Sequence, residues 1–264
     1  MAGDPRRNAG VDRWAPLTPN AWLRFDVVSR LLPPSVVDVL EVGCGQGALG
    51  ARLACRHRYV GVEPDAASAA VARQRLARVG RGDVHHGTVD AVGAARFDLV
   101  CAFEVLEHID DDAGALAAWA ARLRPGGWLL VSVPAHQRRY AAADVLVGHV
   151  RRYDPDALVA LLGRAGFDDI ELRQYGMPLG YLLEAVRNAV GRRRLAASAA
   201  AGAASAAERT AASGRLLQPG SVRGLATRWA TVPFRLAQRA FPGTGTGIVV
   251  RARLGGSGPA PITS

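Results

Sequence analysis

A short apolar run rich in β-branched residues, Val36 to Val42, breaks off into Gly43, Gly45 and Gly47. This restricts the fold more than any other feature. Such a run reads as a buried strand, and the glycines close it with a turn that larger residues would obstruct. A helix to about Arg56 is expected next. Further strands are predicted at Tyr59–Val62, Val84–Val89, Phe97–Phe103, Trp128–Val133, Ile170–Tyr175 and Gly247–Arg253. Helices are predicted from Pro19 to about Leu32, over Asp65–Val79, over Ala113–Leu123, from Asp154 through Arg164, and over Tyr181–Leu195. Thr18 before Pro19 is an N-cap followed by proline at the first helical position, and Pro33-Pro34 stops that helix. Strands alternating with helices specify an α/β fold: a doubly wound, mostly parallel seven-stranded sheet with helices on both faces.

The rhythm changes after residue 175. Residues 196–212 are Ala/Ser-rich, a loose helix or a linker. Val222 to Phe241 is apolar at 222, 225, 229, 232 and 236, with arginines at 223, 228, 235 and 239; Pro233 argues against one continuous helix. The expected organisation is a single domain with an N-terminal helical segment (1–35), a core (36–175) and a basic helical insertion (176–245). The last strand (246–254) and a flexible tail (255–264) complete it.

Charge follows the same division. All 33 basic residues are arginine. Residues 1–180 carry 21 arginines and 21 acids, whereas residues 181–264 carry 12 arginines against Glu184 and Glu208. The whole excess of +10 lies in the last third, which is expected to face something anionic. Arg192–Arg194 and the segment 222–241, with Trp229, Phe234 and Leu236, have the composition of an interfacial helix on anionic lipid. A lid over the active site is the competing reading. Nucleic acid is not the expected partner, because no aromatic platform or RNA-binding module accompanies the arginines.

Cys44, Cys55 and Cys101 have neither metal-ligand spacing nor an even count, so a reducing, cytoplasmic setting is expected, at most peripheral to the inner membrane surface. Met1 to Val11 has no apolar core of a signal peptide, and no run approaches the roughly 18 apolar residues of a membrane span.

The glycines alone fit two ligands. Gly45-Gln46-Gly47-Ala48-Leu49-Gly50 satisfies the dinucleotide pattern G-x-G-x-x-G, and a plain strand–helix turn also fits. Glu41, just ahead, would repel a pyrophosphate and suits an ammonium group. Glu63 ends the second strand, where a carboxylate can accept both ribose hydroxyls; Asp90 follows the third, where an acid could meet an adenine amino group or stay solvated.

The ordered segments Val39 to Gly47, Val62-Glu63-Pro64-Asp65, Phe97 to Val100, Glu104 to His108, Leu123 to Gly127 and Ala165-Gly166-Phe167 resemble those of class I S-adenosylmethionine-dependent methyltransferases. The similarity is to the small-molecule type 11/type 23 and ubiquinone-biosynthesis O-methyltransferase groups, over about residues 20–175 and the last strand. It implies the Rossmann-like methyltransferase fold, S-adenosyl-L-methionine as cofactor, and a site of Glu41, Gly43, Gly45, Gly47, Glu63 and Phe103. The run Glu104, Glu107, His108 also resembles an E-x-x-E-H pattern that binds Mg²⁺ in some ubiquinone-pathway and small-RNA-end methyltransferases; metal-free relatives share it, and the preferred reading has no metal.

Methyl transfer to a hydroxyl needs alignment and a proton acceptor. His108 and His136, at the carboxyl ends of strands, are the preferred candidates. His149, with Arg151, Arg152 and Tyr153, could hold an anionic substrate or pack before the next helix. The expected activity is methyl transfer to a small-molecule acceptor, at oxygen, with an amphiphilic or lipid-linked acceptor in view. The alternatives are a metal-dependent RNA-end 2'-O-methyltransferase and a non-catalytic cofactor-binding protein.

Overall fold

The computed structural model describes residues 16–201 and 221–255; the Ala/Ser-rich stretch beyond 201 and the expected tail beyond 255 lie outside them. In chain order the elements are α1 (Pro19–Leu31), β1 (Asp38–Val42), α2 (Gly50–Ala54), β2 (Arg58–Glu63), α3 (Ala66–Val79), β3 (Asp83–His86), β4 (Phe97–Phe103), α4 (Asp112–Ala120) and β5 (Leu123–Pro134). There follow α5 (Ala142–Val147), α6 (Pro155–Arg164), β6 (Phe167–Gly176), α7 (Leu179–Ala201), α8 (Ser221–Ala230), α9 (Val232–Arg239) and β7 (Gly245–Leu254).

The seven strands form one sheet in the order β3-β2-β1-β4-β5-β7-β6, with β7 antiparallel to both neighbours and the other pairs parallel. Side chains alternate between its faces. Val39, Leu99 and Cys101 point into one apolar cluster, which Leu23 and Val28 of α1 complete. Leu40, Val100 and Ala102 point into the other, with Leu116, Leu158 and Leu162 from α4 and α6. Coverage on both faces is why β1 reads as a continuous apolar run rather than an alternation.

Several boundaries differ from expectation for local reasons. The helix expected after the glycines runs only from Gly50 to Ala54; Gly43, Gly45 and Gly47 all have left-handed φ and keep the turn before it out of the helix. Residues 89–92 form a 3₁₀ turn instead of extending β3. The segment 222–241 divides at Thr231, with Pro233 in the first turn of α9; proline is tolerated there and not in a helix interior.

The chain between β6 and β7 is fastened to α1 by a buried amide and an ion pair. Gln238 of α9 accepts from Gly176 N (3.0 Å) and donates to Leu23 O (3.0 Å), while neighbouring Arg239 pairs with Asp26. Gln238→Leu strands both backbone partners in a dry environment and is expected to cost about 1–3 kcal/mol, read as a lowered urea midpoint. An unchanged midpoint would mean that the insertion is held elsewhere.

Candidate active site

Strand order reverses between β1 and β4, and at such a switch point the carboxyl ends part to leave a crevice. The glycine turn forms one wall. Gly43 N and Cys44 N donate to Val62 O, and Glu63 at the end of β2 accepts from Gly45 N (2.8 Å) and from Asp65 N (2.9 Å). A Cβ on Gly43 would come within 2.6 Å of Val105 Cγ2, and one on Gly47 within 3.0 Å of Ala72 on α3. At Gly45 a Cβ would meet nothing within 4 Å, so this backbone faces open space. The turn is therefore packed on two sides and bare on the third, as a close-binding ligand requires.

That space is a cleft of about 370 Å³ running from the turn, past Glu41 and Phe103, to a polar wall of Glu104, His108, Asp144, His149 and Arg152. Thr18, the cap of α1, with Asn20, Ala21 and Arg24, and Glu184 and Arg187 from α7 border it. Glu41 is buried and accepts from the Tyr59 hydroxyl (2.6 Å). Burial pushes its carboxyl up to about 7, with the Tyr59 bond and the charge of Arg24 opposing.

Glu104 has φ 59°, a left-handed value that costs a non-glycine residue about 1–3 kcal/mol. Its Oε1 gathers the Ser132 hydroxyl (3.0 Å), the Tyr175 hydroxyl (3.2 Å) and Arg24 (3.3 Å). Burial works against ionisation here, but the charges of Arg24 and His149, with the Ser132 bond, hold the carboxyl below its ordinary range.

Two imidazoles meet on the polar wall, ring centroids 4.7 Å apart. His108 Nδ1 lies 3.1 Å from Gly148 O, which can only accept, so Nδ1 carries the proton and Nε2 is left as an acceptor. Burial, then the charge of His149, lower the pKa of His108. His149 Nδ1 lies 2.8 Å from Asp144 Oδ1. Asp144 is buried and also accepts from Arg152 and from Ala141 N. Although burial opposes it, these bonds hold the Asp144 carboxyl down at about 2. A permanent carboxylate accepts only, so His149 carries a proton on Nδ1, and its Nε2 lies 3.7 Å from Glu107 Oε1.

The remaining expected residues divide. Glu41, Gly43, Gly45, Phe103 and His108 line the cleft; Gly47 packs the turn against α3, and Glu63 holds it through Gly45 N. Asp90 is 81 % exposed and pairs with Arg122, whose carbonyl accepts from Phe97 N at the amino end of β4, the opposite rim from the cleft. His136 also lies outside: its ring bonds Gln174 on β6 (3.0 Å). Arg151 and Tyr153 are both spent on Asp112. Residues 106–108 form one 3₁₀ turn, so the helical face expected for Glu104, Glu107 and His108 does not form. Glu107 and His108 instead group with His149, their ligand atoms within 4.8 Å of one another. Glu107 is fully buried, with neither carboxylate oxygen hydrogen-bonded among the described residues and Oε1 3.7 Å from His149 Nε2; burial together with the charge of Glu104 drives its pKa well up.

Arg24, Asp144, Tyr175, Glu184 and Arg187 are site residues with no motif around them. Arg24, like Asp26 a charge among the buried apolar residues Trp22, Leu23, Val27 and Val28, was a local signal.

A family model described as a methyltransferase domain matches residues 18–172. A probable S-adenosylmethionine-dependent methyltransferase of Mycolicibacterium smegmatis is 36% identical over 158 residues, covering 56% of this chain and 60% of that protein. A ubiquinone biosynthesis O-methyltransferase of Aromatoleum aromaticum is 36% identical over 115 residues, covering 42% and 49%. The chain thus spans about half to three-fifths of these relatives' own lengths. The structure of the N-methyltransferase NodS of Bradyrhizobium japonicum with S-adenosyl-L-homocysteine superposes with a TM-score of 0.53 at 18% identity, covering 96% of this chain and 93% of that one.

Two outcomes follow from the turn and from Glu41. Gly43→Ala combines a disfavoured φ with the Val105 clash and is expected to cost at least about 1–3 kcal/mol in urea unfolding. For Glu41 the folded value lies above the unfolded value of about 4.3, so its contribution is complete below that pH and is lost as pH rises toward 7, on the order of 3 kcal/mol. Glu41→Gln imitates the protonated form and is expected to gain on the wild type between about pH 5 and about pH 8. Parallel stability curves would remove Glu41 as the source.

Proposed function

Because this chain belongs to the methyltransferase domain family, we propose that it transfers a methyl group from S-adenosylmethionine to an oxygen of a small-molecule acceptor. S-adenosylmethionine brings a methyl group already activated on a sulfonium centre, so the protein has chiefly to align the partners and take a proton. The donor set fits that cofactor. Gly45 offers bare backbone, Glu41 suits the ammonium group, and Phe103 walls the site. Each Glu63 oxygen retains a second lone pair for the ribose. Asp90 and His136 are left out of the proposed set.

One observation carries the reading: a histidine oriented by a carboxylate opens on the same cleft as the glycine turn. His149 Nε2 is the proposed acceptor of the hydroxyl proton, and Asp144 stabilises the imidazolium that results. His108 Nε2 and the ionised Glu104 are proposed to orient the acceptor. Oxygen as the accepting atom is supported by the name of the Aromatoleum relative.

An amphiphilic or lipid-linked acceptor, and peripheral contact with anionic membrane through residues 181–241, extend the proposal. Leu182, Val186 and Val190, 63, 54 and 41 % exposed, form a stripe along α7 that an amphiphile could meet. Among the described residues no helix is long and apolar enough to cross a membrane. The free cysteines support a reducing cytoplasmic setting. A second reading, metal-assisted transfer as in an RNA-end methyltransferase, is favoured by the buried Glu107, without a hydrogen bond among the described residues, beside His108 and His149. Mg²⁺-stimulated labelling of RNA would select it.

Calorimetry is expected to show S-adenosylhomocysteine binding, and NADH binding in its place would defeat the proposal. With a labelled methyl donor in cell extract, His149→Ala is expected to lower incorporation about 10²–10⁴-fold while leaving S-adenosylhomocysteine affinity intact. Undiminished labelling would take the base role from His149. Partition of the labelled product into organic solvent tests the amphiphilic acceptor.

A further inference from the structure

Three guanidinium groups converge on one buried indole. Arg52 of α2, Arg228 of α8 and Arg235 of α9 stand 5.2, 5.8 and 5.3 Å from the ring centroid of Trp22, which is 7 % exposed. The ring quadrupole attracts each cation, but the cations repel one another. Burial and the charge of Arg228 push Arg52 down to about 10, and burial, then Arg228 and Arg239, lower Arg235 against the pull of Asp26.

The same cluster contains two buried donors without a hydrogen-bond partner among the described residues, Trp22 Nε1 and Arg235 Nε. Neither nitrogen can accept a hydrogen bond, so what each lacks is an acceptor oxygen. Among crowded positive charges that oxygen belongs to an anion.

The surroundings identify its carrier. Arg228 is exposed and reaches both ways, its guanidinium also 5.9 Å from the ring of Trp229, which is 66 % exposed. Leu236 next to Arg235, and Phe241, are 55 and 49 % exposed. Apolar side chains flanking an anion site fit a lipid surface, where tails take the first and a headgroup the second. A free anion in water would not need them.

We infer that α8 and α9 are the face on which the protein docks to an anionic bilayer, with a lipid phosphate seated among Arg52, Arg228 and Arg235 over Trp22. This deepens the membrane contact proposed above and rests on it. It selects this face over the Arg192–Arg194 run, and it explains the location. Arg52 donates to Ala48 O, and Ala48, Leu49 and Ala21, which adjoin the cluster in sequence, line the catalytic cleft. A lipid-linked acceptor could reach the cleft without leaving the surface.

Vesicle sedimentation of the whole protein separates this site from diffuse attraction. Phosphatidylglycerol–phosphatidylcholine vesicles are expected to bind the wild type, and pure phosphatidylcholine to bind it far less. Arg228→Gln with Arg235→Gln is expected to weaken binding about 30-fold, two charges at about 1 kcal/mol each. Neutralising Arg192, Arg193 and Arg194 to Gln removes three charges but is expected to weaken it less; diffuse attraction predicts the reverse order. Trp229→Ser, at a position 66 % exposed, is expected to reduce binding as well. Equal recruitment to neutral vesicles, a larger loss in the triple variant, or no loss with Trp229→Ser overturns the assignment. S-adenosylhomocysteine affinity, measured on every variant, reports folding. Its absence in the wild type would defeat the methyltransferase reading independently of docking.

Discussion

The site depends on one carboxylate that needs no ligand to be engaged. Glu63 binds the backbone N–H of Gly45 with one oxygen and that of Asp65 with the other, joining the turn after β1 to the turn after β2. Both turns sit at carboxyl ends of adjacent parallel strands, where peptide N–H groups would otherwise await an acceptor. With the turn held there, Gly45 presents bare backbone to the cleft, Gly43 passes under Val105, and Gly47 lies against α3. Preorganisation of this kind lowers the ordering cost of a ligand that approaches the main chain.

The opposite wall is held by buried charge. Arg152 is enclosed by Asp144 of α5 and Glu184 of α7, and Glu184 also takes Arg139. Such a set contributes little net stability, since desolvation offsets attraction, but removing one member leaves the others uncompensated. It therefore specifies arrangement more than it stabilises. It fixes Asp144 as an anion, which sets the tautomer of His149, and it ties the insertion helix to the cleft it borders.

Much of this was legible in the residues. The strand ending at Val42 and its glycines name their roles locally, because a buried parallel strand and a turn with left-handed φ each demand particular side chains. The division of 222–241 was foreshadowed by Pro233. Other positions were not legible. Asp90 and His136 follow strands as site residues do, yet which way a side chain turns after a strand depends on neighbours distant in sequence: Arg122 takes the one and Gln174 the other. The regular spacing of Glu104, Glu107 and His108 misled for a similar reason. Val105 to His108 form a tight turn after a strained residue, not a helix.

By itself the sequence determined the α/β alternation, the site of the ligand turn, the concentration of positive charge in the last third and the family. These are properties of short segments, fixed by backbone sterics, periodic burial and composition. Only the tertiary structure decided which histidine has a carboxylate behind it, that Glu107 lies beside His149, and that three arginines far apart in the chain share one indole. Such pairings arise when elements separated by tens to hundreds of residues pack on a common sheet, and no local pattern carries their distances.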